Sequence, residues 1–93
     1  MIQLPPGLEG FAGFLEAQPE TVRGIFYYCL CLMMVEADKM RLVETTAADM
    51  GEVCIFETLD GQRFAVPRPA LGADVEAAVL ETLREILHDE GVL

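Results

Sequence analysis

An uncharged, largely apolar stretch covers residues 25–35, and charged residues bound it on both sides. Its eleven residues are too few for a membrane-spanning helix, which needs about 20, so the pattern predicts a buried helix. Pro19 suits a first helical position because its missing N–H would have no partner there. Glu20 suits the positive end of the helix dipole. We therefore predict a helix from about Pro19 to Asp38.

This predicted helix is apolar around its whole circumference. Val22, Ile25, Phe26, Cys29, Leu32 and Met33 form one stripe with the three-and-four spacing of a helix face. A second set lies off that stripe and comprises Tyr27, Leu30, Cys31, Met34 and Val35. Because such a helix must be covered on all sides, one small sheet cannot bury it alone. We predict that a second copy of the chain, or the folded N-terminal segment, covers the second set.

The segment before Pro19 combines proline and glycine with scattered large apolar residues. Residues 1–10 predict an extended arm, and the spacing of Phe11 and Phe14 predicts a short helix within residues 9–17. These side chains are too apolar to remain in water. We therefore expect residues 1–18 to form an apolar docking arm.

Three segments after the helix predict strands at about 40–47, 52–59 and 62–66, because β-branched and aromatic residues are frequent there. Residues 48–51 predict a turn between the first two strands. Asp60-Gly61 predicts a two-residue type I′ turn between the other two, because both central positions of that turn need a positive φ.

These turns fix a register, in which Phe56 faces Ala65 and Val43 faces Phe56. The register predicts a buried face that carries Met40, Leu42, Val53, Ile55, Leu59, Phe64 and Val66. The opposite, mixed face would carry Val43, Phe56 and Ala65 beside Arg41, Thr45, Thr58 and Arg63. Such a face is either a half-exposed sheet surface or a contact surface for a partner.

The last predicted helix has the clearest apolar stripe, which comprises Val75, Val79, Leu80, Leu83, Ile86 and Leu87. Asp74 suits its N-cap, and Gly91 suits its end. Residues 1–93 therefore predict a single small α+β domain. Its architecture is a three-stranded antiparallel meander packed against two helices, in the order arm-α-β-β-β-α.

Composition narrows the classes of partner. Sixteen acidic residues against six basic ones give a formal charge of −10, which disfavours nucleic acids and anionic membranes. The hydrophobic share of 53% excludes a disordered chain. Three cysteines are an odd number, and Cys29 and Cys31 point to opposite sides of a helix. We therefore expect a reducing, cytoplasmic setting.

No pattern in the sequence predicts catalysis or metal binding. The single histidine, His88, falls near the end of the last predicted helix, where a dipole or surface role is usual. No phosphate-binding, dinucleotide-binding or nucleophile motif is present. The divergence of Cys29 and Cys31 disfavours copper, and zinc would need two cysteines separated by two to four residues and further ligands. We expect no enzyme activity, no cofactor and no metal.

The leading hypothesis is a non-enzymatic module that works by self-association, most simply as a homodimer, or by binding a partner protein. The candidate interface residues are Tyr27, Leu30, Cys31, Met34, Val35, Val43, Phe56, Phe11 and Phe14. Tyrosine hydroxyls within an apolar run also fit an interface or a pocket. The alternative is a small-molecule-binding sensor or enzyme accessory domain with a pocket between the central helix and the sheet. A third hypothesis, a metal or thiol-redox protein, would rest on the cysteines alone.

Overall fold

The chain folds as a small α+β domain in a computed structural model that describes residue 4 and residues 8–49, 51–89 and 91. A 3-10 turn at Glu9–Phe11 leads into α1 (Ala12–Glu16) and α2 (Glu20–Glu36). The strands are β1 (Met40–Ala48), β2 (Gly51–Thr58) and β3 (Arg63–Pro67), and α3 (Ala73–Asp89) follows. The sheet is antiparallel with the order β1-β2-β3. The predicted class and helix–sheet–helix order are confirmed; the predicted extended conformation of residues 1–3 and 5–7 lies outside the described residues.

Local signals fix both ends of α2. Pro19 is the N-cap residue, with φ −56° and ψ 150°, whereas the prediction made it the first helical residue. Glu20 lies in the first turn. At the other end, Asp38 has a left-handed φ of 60°. The N–H of Asp38 donates to the Val35 carbonyl (3.1 Å) and the N–H of Lys39 to the Met34 carbonyl (2.9 Å). This is a Schellman motif, which satisfies the last carbonyls of the helix.

Other elements of the same chain surround α2. Within residues 28–34 only Leu32 is half-buried, and the other side chains are buried. The helix contacts β1 and β3 of the sheet, α3 and α1. Leu8 and Leu15 from the N-terminal segment belong to the same fully buried cluster. A single chain therefore covers the all-round apolar helix, so its burial does not require a second copy.

The last helix packs along α2 and runs in the same direction. Two pairs of residues indicate this direction. Burial, and then Glu76 near the start of α3, raise the pKa of Cys29 on α2. Further along both helices, Arg84 of α3 donates to Glu36 of α2 at 2.9 Å. Leu83 and Leu87 are buried, whereas Val75 is 52% exposed. The predicted N-cap is wrong by two positions, because the N–H of Glu76 already donates to the carbonyl of Gly72 (3.0 Å). Asp74 therefore lies inside the first turn.

The β2–β3 register differs from the predicted one by one residue. Phe56 pairs with Phe64 and Ile55 with Ala65, where the sequence predicted Phe56 opposite Ala65. A one-residue shift moves the alternate side chains of a strand to the opposite face. Phe56 is consequently fully buried, and Val53 and Ile55 lie on the face away from α2, where they are half-buried.

The hairpin loop explains this correction. Its three residues are Leu59, Asp60 and Gly61, and the N–H of Gly61 donates to the Thr58 carbonyl (3.1 Å). The N–H of Thr58 donates to the Gln62 carbonyl (2.8 Å), and only Gly61 in the loop has a positive φ, of 90°. This is the pattern of a turn followed by a left-handed residue, not of a type I′ turn. An odd loop length displaces the pairing by one residue, and Leu59 becomes an exposed loop residue.

The β1–β2 register contains a bulge at Val43. Glu44 faces Ile55 as predicted, but Leu42 rather than Val43 faces Phe56. The buried face therefore carries Met40, Phe64 and Val66 as predicted, together with Cys54 and Phe56. Leu42 shares this face but remains 45% exposed.

Candidate functional site

The structure separates the nine candidate interface residues into core and surface. Leu30, Cys31, Met34 and Phe56 are at most 1% exposed in the single chain. A side chain that its own chain covers so completely offers no contact area to a partner. These four residues are core residues, which corrects the expectation that they form a contact surface.

The other five candidates reach the surface at separate places. Tyr27, Val35 and Phe11 are half-buried, and Phe14 and Val43 are exposed. Phe14 of α1 packs against Phe26 of α2, with the two rings tilted by 59° and their centroids 5.5 Å apart. Val43 lies on β1, in a different part of the fold. The structure therefore does not bring these residues together into one patch.

The most exposed regular element is β1. Every residue from Arg41 to Ala48 is exposed, although β1 is the longest strand of the sheet. It lies at the edge, and no other strand among the described residues pairs with the side of β1 that faces away from β2. We call this side the β1 edge. A bare edge presents a row of backbone donors and acceptors that can accept another strand.

The direction of these backbone groups follows from the pairing. Ala48 faces Gly51 across a two-residue loop, so the two residues exchange both hydrogen bonds. Hydrogen-bonded and non-hydrogen-bonded pairs alternate along an antiparallel ladder. Thr46 and Glu44 therefore direct their backbone groups toward β2. The N–H and C=O groups of Thr45 and Ala47 point outward, along the β1 edge.

The two edges of the sheet are protected to different degrees. The β3 edge is five residues long and ends in Pro67, which cannot donate a ladder hydrogen bond. The segment Met40–Ala48 is nine residues long and contains neither proline nor lysine, the residues that commonly block edges. The features that oppose pairing along it are the charged side chains of Arg41 and Glu44 and the bulge at Val43, which leaves residues 44–48 regular.

No protein-family model, curated protein or solved structure matches this chain. In the described part of the chain, no helix has the length and apolar character needed to cross a membrane.

A cluster of charges lies beside the β1 edge on the face away from α2. Arg41 on β1 and Arg63 on β3 both donate to the carboxylate of Glu57 on β2, through Nε atoms at 3.0 and 2.9 Å. These hydrogen bonds, Arg41 first, lower the pKa of Glu57 below its ordinary value. The carboxylate is thus ionised and paired with one arginine on each of the two outer strands.

Two surface clefts lie away from the β1 edge. One, of about 750 Å³, lies between α2 and α3, and its lining includes Met33, Ala37, Arg84 and His88. The other, of about 350 Å³, lies between α2 and the end of β3 and includes Arg23, Tyr27 and Val66. Burial and then the nearby Cys31 raise the pKa of Tyr27 to about 12, so its hydroxyl remains protonated at neutral pH.

The three cysteines are free and buried. Burial is the main cause that raises the pKa of Cys29 to about 11 and that of Cys31 to about 12. A thiol rather than a thiolate is therefore the neutral-pH form of both residues, and thiols are poor nucleophiles and poor metal ligands. Among the described residues, no three metal-binding side chains lie close enough together to hold an ion.

Sequence reasoning placed Val43, Arg41 and Thr45 on a possible contact face of the sheet, but it missed the edge formed by the backbone groups of β1. A signal for this edge was present in the sequence, because the first strand of an open meander lies at an edge. Residues 40–48 contain neither proline nor lysine to block that edge. Hydrophobicity, the main signal used for prediction, identifies the core better than it identifies a surface made of backbone groups.

Proposed function

We propose that this chain is a non-enzymatic protein-interaction module whose β1 edge binds an extended strand of another polypeptide, including another copy of itself. The observation that carries the proposal is that β1, the longest strand, is exposed from Arg41 to Ala48 and lies at an edge. Strand addition satisfies the outward groups of Thr45 and Ala47 and covers Leu42 and Val43, which are 45% and 37% exposed.

The rest of the chain agrees with this class of function. The formal charge of −10 favours a protein partner over a nucleic acid or an anionic membrane. Three buried, free cysteines favour a reducing, cytoplasmic setting.

The small-molecule alternative has weaker support. The cleft of about 350 Å³ between α2 and the sheet is large enough for a small ligand. The guanidinium group in this cleft belongs to Arg23. It already donates to the backbone carbonyls of Leu15 (3.0 Å), Glu16 (3.3 Å) and Gln18 (3.1 Å). The group that would recognise a polar ligand therefore serves to hold the end of α1 against α2.

A labelled synthetic peptide with the sequence of residues 40–48 tests the proposal as a strand probe, read by fluorescence anisotropy. We expect wild-type protein to bind it and Ala47→Pro to bind at least about tenfold more weakly, because proline removes an outward N–H and adds a bulky ring. Ala47→Val is the matched control, since it keeps the N–H and favours a strand. It should bind like wild type.

Circular dichroism of both variants checks that the sheet is intact. Equal binding by folded Ala47→Pro and Ala47→Val, or no binding by wild type at millimolar peptide, would contradict strand addition at this edge.

A further inference from the structure

The strand that completes the sheet can come from a second copy of the chain. We propose that two copies pair their β1 edges antiparallel about a two-fold axis, with the two Thr46 residues facing each other, to form one six-stranded sheet. This inference rests on the proposed function, for which it names the partner and the register.

The direction of the backbone groups on β1 restricts how two copies can pair. Because Thr45 and Ala47 point outward, a ladder between copies must place these residues opposite each other. In the Thr46-centred register, Thr45 of each copy meets Ala47 of the other, and the two pairs supply four backbone hydrogen bonds. Both bare edges are satisfied at once, which a short peptide partner would achieve for one molecule only.

Two other two-fold registers are less favourable. Centring on Glu44 would place two carboxylates directly opposite, at a Cα separation of about 4.5 Å, where like charges repel. Centring on Thr45 would bring the bulged residue Val43 into the ladder. The Thr46-centred register uses only the regular residues 44–48 and places Glu44 opposite Ala48. It also makes a Thr–Thr pair, which is favourable across strands.

The charged side chains of β1 leave the proposed ladder free of like-charge contacts. The strand Met40–Ala48 carries one cation, Arg41, and one anion, Glu44, in a chain whose formal charge is −10. Residues 44–48, which form the ladder, carry only Glu44, and the register places it opposite the uncharged Ala48, so the two carboxylates of the pair are not neighbours. The remaining repulsion acts between whole molecules over longer distances, and salt screens such interactions most effectively.

The salt dependence of association distinguishes a second copy of this acidic chain from an oppositely charged partner. Sedimentation at micromolar to millimolar protein should show a monomer–dimer equilibrium whose dissociation constant falls at least about threefold between about 0.05 and 0.5 M salt. An oppositely charged partner would show the reverse dependence. A monomer at all concentrations and at both salt levels would overturn the two-copy proposal. If the 40–48 peptide nevertheless binds, strand addition itself still holds.

Disulfide trapping tests the register. In the proposed pairing the two residues 46 lie about 4.5 Å apart between Cα atoms, within reach of a disulfide, whereas the two residues 44 lie about 13 Å apart. Thr46→Cys should therefore form a cross-linked dimer under mild oxidation at least about tenfold faster than Glu44→Cys. Thr82→Cys, on the exposed side of α3, measures random collision. The buried native thiols add little background.

The cross-linking rates test the register separately from self-association. Faster cross-linking of Glu44→Cys or Thr45→Cys than of Thr46→Cys, in a protein that dimerises, would overturn the register and retain self-association. Adding Ala47→Pro to Thr46→Cys should reduce cross-linking to the rate of Thr82→Cys. Unchanged cross-linking in that double variant would show that the contact does not use the β1 edge.

Discussion

At the scale of single residues, Phe56 and Ile55 show how much one position along a strand decides. Phe56 is fully buried and meets the ring of Tyr28 edge-on, with the centroids 6.3 Å apart. Ile55, its neighbour, lies on the opposite face and is half-buried. Both are large apolar residues with strong strand preference, so composition does not distinguish them. Only the pairing with β3 assigns one to the core and the other to the surface.

Replacing Phe56 or Ile55 by alanine should lower the free energy of unfolding by different amounts. Phe56→Ala should lower the free energy of unfolding by about 3–5 kcal/mol, because it removes a fully buried ring and leaves a cavity. Ile55→Ala should cost roughly 1–2 kcal/mol, since much of its side chain already contacts water. Equilibrium urea unfolding measures both. A larger loss of stability in Ile55→Ala than in Phe56→Ala would instead support the register predicted from a two-residue turn, in which Phe56 faces Ala65.

At the scale of elements, the β2–β3 loop controls which face of β2 is buried. Thr58 bonds across the loop through its N–H and through its hydroxyl, which accepts from the N–H of Gln62 at 3.0 Å. Gly61 completes the loop with a φ of 90°, a conformation that side chains with a Cβ rarely adopt. The three-residue loop is thus held by local interactions, and the faces of the sheet follow from it.

The same substitution at two glycines should change stability in opposite directions. Gly61→Ala should cost about 1–2 kcal/mol because the methyl group strains the left-handed conformation. Gly24→Ala, inside α2, should stabilise by about 0.5–1 kcal/mol, since it adds helix preference and meets open space. Thermal and urea unfolding of the two variants provide the comparison. A neutral Gly61→Ala would indicate that the loop does not need its positive φ.

At the scale of the whole molecule, burial of ionisable groups in one small core links stability to pH. Cys29 and Cys31 have pKa values raised to about 11 and about 12, with burial as the largest cause. Their folded-state values lie above the ordinary thiol value of 9.0. Their contribution to stability is therefore complete below about pH 9 and is lost as the pH rises toward their folded-state values. The domain should be alkali-sensitive.

This sensitivity can be assigned to the thiols by comparing slopes. The free energy of unfolding of wild-type protein should fall between about pH 8 and pH 11, and Cys31→Ala should reduce that fall whatever its cost at neutral pH. Urea unfolding at several pH values measures the slope. If the slope is the same in both proteins, Cys31 is not a source of the alkaline sensitivity.

The accuracy of the sequence predictions follows the range of the interactions involved. The start of α2 at Pro19 and Glu20 was close because caps and the helix dipole act within one turn. The stop at Gly91 agrees with its φ of 76° and its N–H bond to the His88 carbonyl (3.1 Å). The turn at Asp60-Gly61 was recognised but given the wrong length, because the same dipeptide fits loops of two and three residues. That single error reversed the faces of β2.

The sequence by itself determined the α+β class, the order of the elements and their approximate ends. Hydrophobic period, capping residues and turn residues act locally and are visible in the chain. Tertiary structure alone decided the register of β2 and the burial of Leu30, Cys31 and Met34 by the chain's own elements. These depend on which distant segments meet, and the free energy of packing among them has no signature in any one segment.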